Sequence, residues 1–225
     1  MKYLMASLLH SFEAHFFVII ASILAAAFLA VLYRNWRRRN SLAALAFSMN
    51  LIYSKDGPEQ NYLESTGLDM FKTGRSRKAS NLLEVPSQAG QIQVFDYRYT
   101  TGGGKSSHTH NFTLALILCK CEMPYFDLKP ETFIYKVGEL FGFKDIDLPA
   151  FPLFSDKYRL TGPDEAAVHM FFTPARAAWF ERNLGLHVQG APGRALLFKR
   201  ESLLPAETWQ GFIEEARIFA AEVLK

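Results

Sequence analysis

Residues 91–120 read QIQVFDYRYT-TGGGKSSHTH-NFTLALILCK, and the fold turns on how this stretch is read. In the first ten residues the side chains alternate. Ile92, Val94 and Asp96 fall on one side, and Phe95, Tyr97 and Tyr99 on the other, which is the period-two pattern of a strand. Residues 109–120 return with Phe112, Leu114, Leu116 and Leu118 on one face and Ala115, Ile117 and Cys119 on the other. A strand apolar on both faces is expected to lie centrally and be covered on both sides. Gly102, Gly103 and Gly104, followed by Lys105, Ser106 and Ser107, make the connection. The segment therefore predicts a β-hairpin.

Downstream, residues 124–130 read as extended. The spacing predicts a helix over 131–141, with Phe133, Ile134, Val137, Leu140 and Phe141 on one face and Gly142 as its stop. Residues 157–161 form a short strand. Gly162-Pro163-Asp164-Glu165 opens a helix, with acids at the positive end of its dipole, and Thr173-Pro174 starts another that carries Ala178, Trp179 and Phe180. Residues 186–189 and 195–200 form a second hairpin around Gly190 and Gly193. The final helix, over 205–224, bears Trp209, Phe212, Ile213, Ala216, Phe219, Ala220 and Val223 as an i, i+3, i+4, i+7 stripe.

Upstream, residues 81–85 suggest a strand and the polar stretch 67–80 a loop. Ser41 is placed to cap a short helix over 42–52, which Gly57-Pro58 ends. The expected fold class is α+β: an N-terminal transmembrane helix, then an antiparallel sheet with helices packed on one face.

The transmembrane reading rests on residues 16–33, an apolar run broken only by Ser22. As a helix it would be about 27 Å long, close to the hydrocarbon thickness of a bilayer. A core-packed helix with one face in water would carry a polar stripe, and this run has none. A cleaved signal peptide fits poorly, because apolar residues continue past Ala25 and Ala27 and Arg34 follows directly. Arg34, Arg37, Arg38 and Arg39 flank the C-terminal end with Trp36 among them, against Lys2 and Glu13 before the run. That asymmetry puts the N-terminus outside and the C-terminal part in the cytoplasm, with Tyr33 and Trp36 at headgroup level. The expected division is a short segment 1–15, the membrane helix 16–33, a basic juxtamembrane linker 34–40 and a cytosolic domain 41–225.

The chain has 225 residues, 49% apolar and 21% charged, which excludes disorder and a disulfide-stapled miniprotein. Its net charge of +3 belongs to the anchor: residues 1–39 carry +4 and the remainder −1. The domain thus lacks the basic surplus that nucleic-acid binding requires, and no nucleic-acid partner is expected.

Chemistry-bearing residues are sparse. His108-x-His110 places two imidazoles on one strand face, a genuine metal-ligand spacing, but no neighbour in sequence completes the set. Asp145-x-Asp147 is a possible cation or acid/base pair, with a solvated loop as the plainer reading. Asp164-Glu165 has sufficient work at a helix start. Gly104-Lys105-Ser106 lacks the first glycine and the following helix of a phosphate loop. No nucleophile elbow is present, and no catalytic residue is expected. Cys119 and Cys121, two residues apart, are expected to be packed thiols, since a reducing cytoplasm does not keep such a bridge. Phe95, Tyr97 and Tyr99 form a binding face if no element covers them, and core if one does.

Val94-Phe95-Asp96-Tyr97-Arg98-Tyr99, Phe126-x-Leu128-x-Pro130-Glu131, Phe154-Ser155-x-x-Tyr158-x-Leu160-x-Gly162-x-Asp164-Glu165 and Phe172-Thr173-Pro174 together resemble a family of bacterial membrane-anchored proteins with no assigned activity. The resemblance covers roughly residues 42–222. Its motifs are turn, cap and core residues. It implies a bacterial source and a tethered domain, and nothing about substrate.

The expectation is a single-pass protein of the bacterial cytoplasmic membrane. Its cytosolic domain engages a membrane or cytosolic protein partner beside the lipid bilayer, without a cofactor. The alternative is a membrane-anchored metal-dependent hydrolase, or a small-ligand domain, using His108 and His110.

Overall fold

The computed structural model describes residues 2–87, 90–131 and 145–224, with side chains described from residue 15 onward. The expected helix over 131–141 lies outside the described residues, apart from Glu131. The chain divides into two units, Met1–Ala43 and Ala44–Lys225.

Helix α1 runs from Lys2 to Ser48. No glycine or proline occurs within it, so nothing in its backbone chemistry breaks it. The expected linker 34–40 is therefore helical, and Ser41 is an interior residue rather than a cap. The helix ends where Asn50 takes a left-handed conformation (φ 53°). There the Leu51 amide donates to the Ala46 carbonyl at 2.8 Å and the Asn50 amide to Phe47 at 3.2 Å; this is a Schellman-type stop with asparagine in the usual glycine position. The stretch from His15 to Ser48 is long and apolar enough to cross a membrane, with a mean hydropathy of 2.7 over its most apolar window and none of that window buried.

The second unit is built on an eight-stranded antiparallel sheet: β1 (Ile52–Asp56), β2 (Arg75–Ser87), β3 (Gly90–Thr101), β4 (His108–Cys119), β5 (Phe126–Pro130), β6 (Tyr158–Thr161), β7 (His187–Ala191) and β8 (Arg194–Phe198). Their order across the sheet is β1-β2-β3-β4-β8-β7-β5-β6. The two expected hairpins are β3–β4 and β7–β8, and they join side by side through β4 and β8. The expected short helix over 42–52 is the last part of α1 as far as Ser48, β1 begins at Ile52, and β2 takes in the second half of the expected loop from Arg75. A bulge in β2 lies between Ser80 and Leu83, at the left-handed Asn81.

The helices are α2 (Gln60–Ser65), α3 (Pro152–Ser155), α4 (Glu165–Phe171), α5 (Pro174–Arg182) and α6 (Trp209–Glu222). Asp164 caps α4 by accepting from the Ala167 amide at 3.0 Å, and Thr173 caps α5 with Pro174 in the first turn. Along α6, Trp209, Phe212, Ile213, Ala216, Phe219 and Ala220 are all buried, and the helix packs across β2, β3 and β4.

On the opposite side of β3, Phe95, Tyr97 and Tyr99 are buried as well, at 0%, 1% and 1% exposure. Leu63 of α2 and Leu68, Met70 and Phe71 of the turn that follows close over them. Phe71 meets Tyr97 edge-on at 5.2 Å. The aromatic face proposed as a possible binding surface is thus core, because residues 60–71 supply a lid of short apolar turns. Burial pushes the Tyr97 hydroxyl up to about 12.

Polar groups on the α6 side are tied in a chain. The Tyr53 hydroxyl donates to Asn81 at 3.0 Å, the Asn81 amide to Asp96 at 2.8 Å, and the Thr113 hydroxyl to Asp96 at 3.0 Å. The Leu204 amide donates to Thr113 at 2.9 Å. This chain fixes β1 through β4 to the segment that leads into α6.

Cys119 and Cys121 are bonded to each other. This corrects the expectation of packed free thiols. With only Lys120 between them at the strand end, the chain bends enough there for the sulfurs to meet.

Candidate functional site

The β3–β4 register sets Tyr99 opposite His110 and Thr101 opposite His108. Both imidazoles project from one face of β4, as their spacing requires. The third member comes from far along the chain. Beyond β8 the backbone continues alongside β4, held by the Leu204–Thr113 bond, and delivers Glu201. One Glu201 carboxylate oxygen lies 2.6 Å from His110 Nδ1 and 3.3 Å from His108 Nε2. One ligand atom from each of the three residues lies within 4.8 Å of the others.

His110 is held from three sides. Its ring stacks on Tyr99 at 4.8 Å, its Nε2 meets the Thr101 hydroxyl at 2.7 Å, and the His108 ring abuts it at 4.5 Å between centroids. Side-chain exposure is 12% for His110 and 10% for Glu201, against 68% for His108. The cluster is therefore a fixed pair with one solvent-facing arm. Burial, and after it the Glu201 charge, push the Tyr99 hydroxyl above its ordinary range. The sequence offered the two histidines but not Glu201, since a ligand 91 residues away from His110 leaves no local spacing to read.

A second carboxylate–imidazole cluster joins β5 to β7. Asp127 lies 2.5 Å from His187 Nε2, 2.9 Å from Lys129 Nζ and 3.3 Å from the Gln189 amide nitrogen. The Gln189 oxygen accepts from the Met70 amide at 3.2 Å. Burial alone would raise the Asp127 pKa. The charge and hydrogen bond of His187, then those of Lys129, outweigh it and hold the carboxyl well below its ordinary range. Asp69 nearby is pushed up, by burial first and then by the Asp127 charge. His187 is only 3% exposed, so this cluster is closed.

The remaining candidates lie outside both clusters. Asp145 bridges to Thr161 and accepts from the Leu160 amide at 3.2 Å. Residues 104–106 form a single turn between β3 and β4. Arg34, Trp36, Arg37, Arg38 and Arg39 lie on α1, where Trp36 stacks on Tyr33 at 6.0 Å. An open cleft of about 400 Å³ runs between α5 and α6, lined by Trp179, Asn183, Lys199, Phe212, Glu215 and Ile218 among others. It contains no histidine and does not include the His108–His110–Glu201 cluster.

No protein-family model matches the chain. No curated protein matches it either. Among solved structures it is similar to the mycobacterial trehalose monomycolate transport factor A, TtfA. The TM-score is 0.56 at 12% identity, over 84% of this chain and 95% of that one. The likeness is one of fold.

Proposed function

We propose that this chain is a single-pass protein of the bacterial cytoplasmic membrane whose sheet domain lies in the cytoplasm and engages a protein partner at the membrane face. The observation that carries this reading is α1: a continuous apolar helix, unburied over its most apolar window, leading directly into a folded domain. Exposed apolar area on that scale is costly in water and is stabilised in lipid. The four arginines at one end of the apolar run orient it with the domain inside. Tethering confines the domain to the membrane plane and raises its effective concentration toward membrane partners. The shared fold with a protein named for trehalose monomycolate transport favours an accessory role in a transport process at the membrane.

Crosslinking in native membranes, then purification of the full-length chain, tests this. The expected result is a stoichiometric partner that disappears when residues 1–40 are replaced by an unrelated soluble leader. Recovery of no partner, or of the same partner without the anchor, contradicts it.

The His108–His110–Glu201 cluster favours a second reading, a tethered metal-dependent hydrolase. It has ligands within reach of one another but stands on an open strand end, apart from the described cleft. An enclosed substrate site normally accompanies hydrolysis.

A further inference from the structure

We propose that His108, His110 and Glu201 bind one divalent first-row transition ion, zinc foremost, with a fourth position open to solvent. Two imidazoles and one carboxylate are a donor set that suits zinc, and three protein ligands plus a free position are the pattern of an accessible rather than a sealed site.

The ligand atoms lie within 4.8 Å of one another, and one pair already has the separation that coordination requires. Bonds of about 2.0–2.1 Å in a tetrahedron place neighbouring ligand atoms about 3.3 Å apart. His108 Nε2 and Glu201 Oε1 are already 3.3 Å apart. His110 Nδ1 and Glu201 Oε1, at 2.6 Å, are hydrogen-bonded; an ion entering the cluster replaces that bond and opens the pair by less than about 1 Å.

The outer contacts fit the same role. A metal-bound histidine is normally fixed by a hydrogen bond at its other ring nitrogen. With Nδ1 on the ion, Nε2 of His110 carries the proton and donates to the Thr101 hydroxyl, at 2.7 Å. Tyr99 supports the ring from below. A His110–Glu201 hydrogen bond alone would account for those two residues, but it gives no reason for a second imidazole, 68% exposed, to lean over the same carboxylate oxygen. An ion does: His108 is the arm that takes the metal from solvent.

The test uses the full-length protein in detergent, with a histidine-free affinity tag and prior chelator treatment. Zinc is titrated calorimetrically, and cobalt(II) serves as a spectroscopic substitute whose visible bands report low-coordinate binding. One ion per chain with an intense cobalt spectrum is expected. Thr101→Val should weaken affinity about 10-fold or more through the outer contact, and Glu201→Gln, which keeps the shape, should abolish the cobalt signature. His169→Ala, at an exposed histidine on α4 paired with Glu165, should change neither. A folded wild-type protein that binds no zinc at micromolar concentration overturns the proposal. So does binding that survives in Glu201→Gln.

Discussion

The sheet domain holds two clusters that each centre on a carboxylate and an imidazole, and they differ in how the carboxylate is satisfied. At Asp127 both oxygens are taken up within the fold: His187 and Gln189 share one and Lys129 holds the other. The imidazole is sealed, at 3% exposure. At Glu201 a single oxygen serves two imidazoles, and one of those faces water. In the first arrangement the carboxylate is saturated, and the cluster joins β5 to β7. The second has donor atoms converging on a common point with a route in from solvent. Residue types alone do not separate a structural ion pair from a ligand site; saturation and access do.

The largest effect should come from breaking the closed cluster. Asp127→Ala removes the carboxylate that His187 and Lys129 share, and should lower stability by about 3–5 kcal/mol, measured by urea unfolding. The same cluster sets an acid limit. Asp127 has a native pKa below its unfolded value of about 3.9. Its stabilising contribution is therefore complete above that value and is lost as pH falls toward the native one. Asp127→Asn should flatten the loss of stability below about pH 4; an unchanged acid limb would mean other carboxylates set it.

The open cluster should respond to metal instead. At a hundredfold excess over its dissociation constant, zinc should stabilise the wild-type domain by about 2.7 kcal/mol, or roughly 5–10 °C in Tm, read by thermal melting. Asp127→Asn should keep that increment and Glu201→Gln should lose it. Equal responses from the two variants would erase the distinction between the clusters. The smallest effect should be Glu201→Gln without metal. It exchanges a charge-assisted bond for a neutral one and should cost about 1 kcal/mol; a loss as large as that at Asp127 would make Glu201 a structural group.

Much of this frame is legible in the sequence because local chemistry and tertiary placement agree. The alternation in 91–120, the caps Asp164 and Thr173 and the stripe from Trp209 to Ala220 each specify an element without help from elsewhere. The departures are those in which distant residues decide. Phe95, Tyr97 and Tyr99 carry the same alternation whether covered or bare, and the cover comes from Leu63 to Phe71, too short and irregular to show periodicity. Ser41 has the chemistry of a cap, but with no glycine or proline in Lys2–Ser48 the helix passes through it. Ile52–Asp56 becomes a strand only because β2 lies beside it. Glu201 reaches the histidines through the pairing of β4 with β8, which no spacing rule encodes. The bridge between Cys119 and Cys121 likewise follows from a turn at the strand end.

That bridge bears on the compartment, since disulfides persist in oxidising surroundings and are reduced in the cytoplasm, while the arginines at 34–39 argue for a cytoplasmic domain. The side on which the proposed membrane helix places the domain is addressed directly by one measurement. The full-length chain is fused at its C-terminus to a reporter that works only in the cytoplasm and, separately, to one that works only outside. Activity is expected from the cytoplasmic reporter alone, with loss or inversion when Arg37, Arg38 and Arg39 are replaced by glutamate. Activity from the outside reporter alone would contradict it and put the domain, with its disulfide, on the oxidising face.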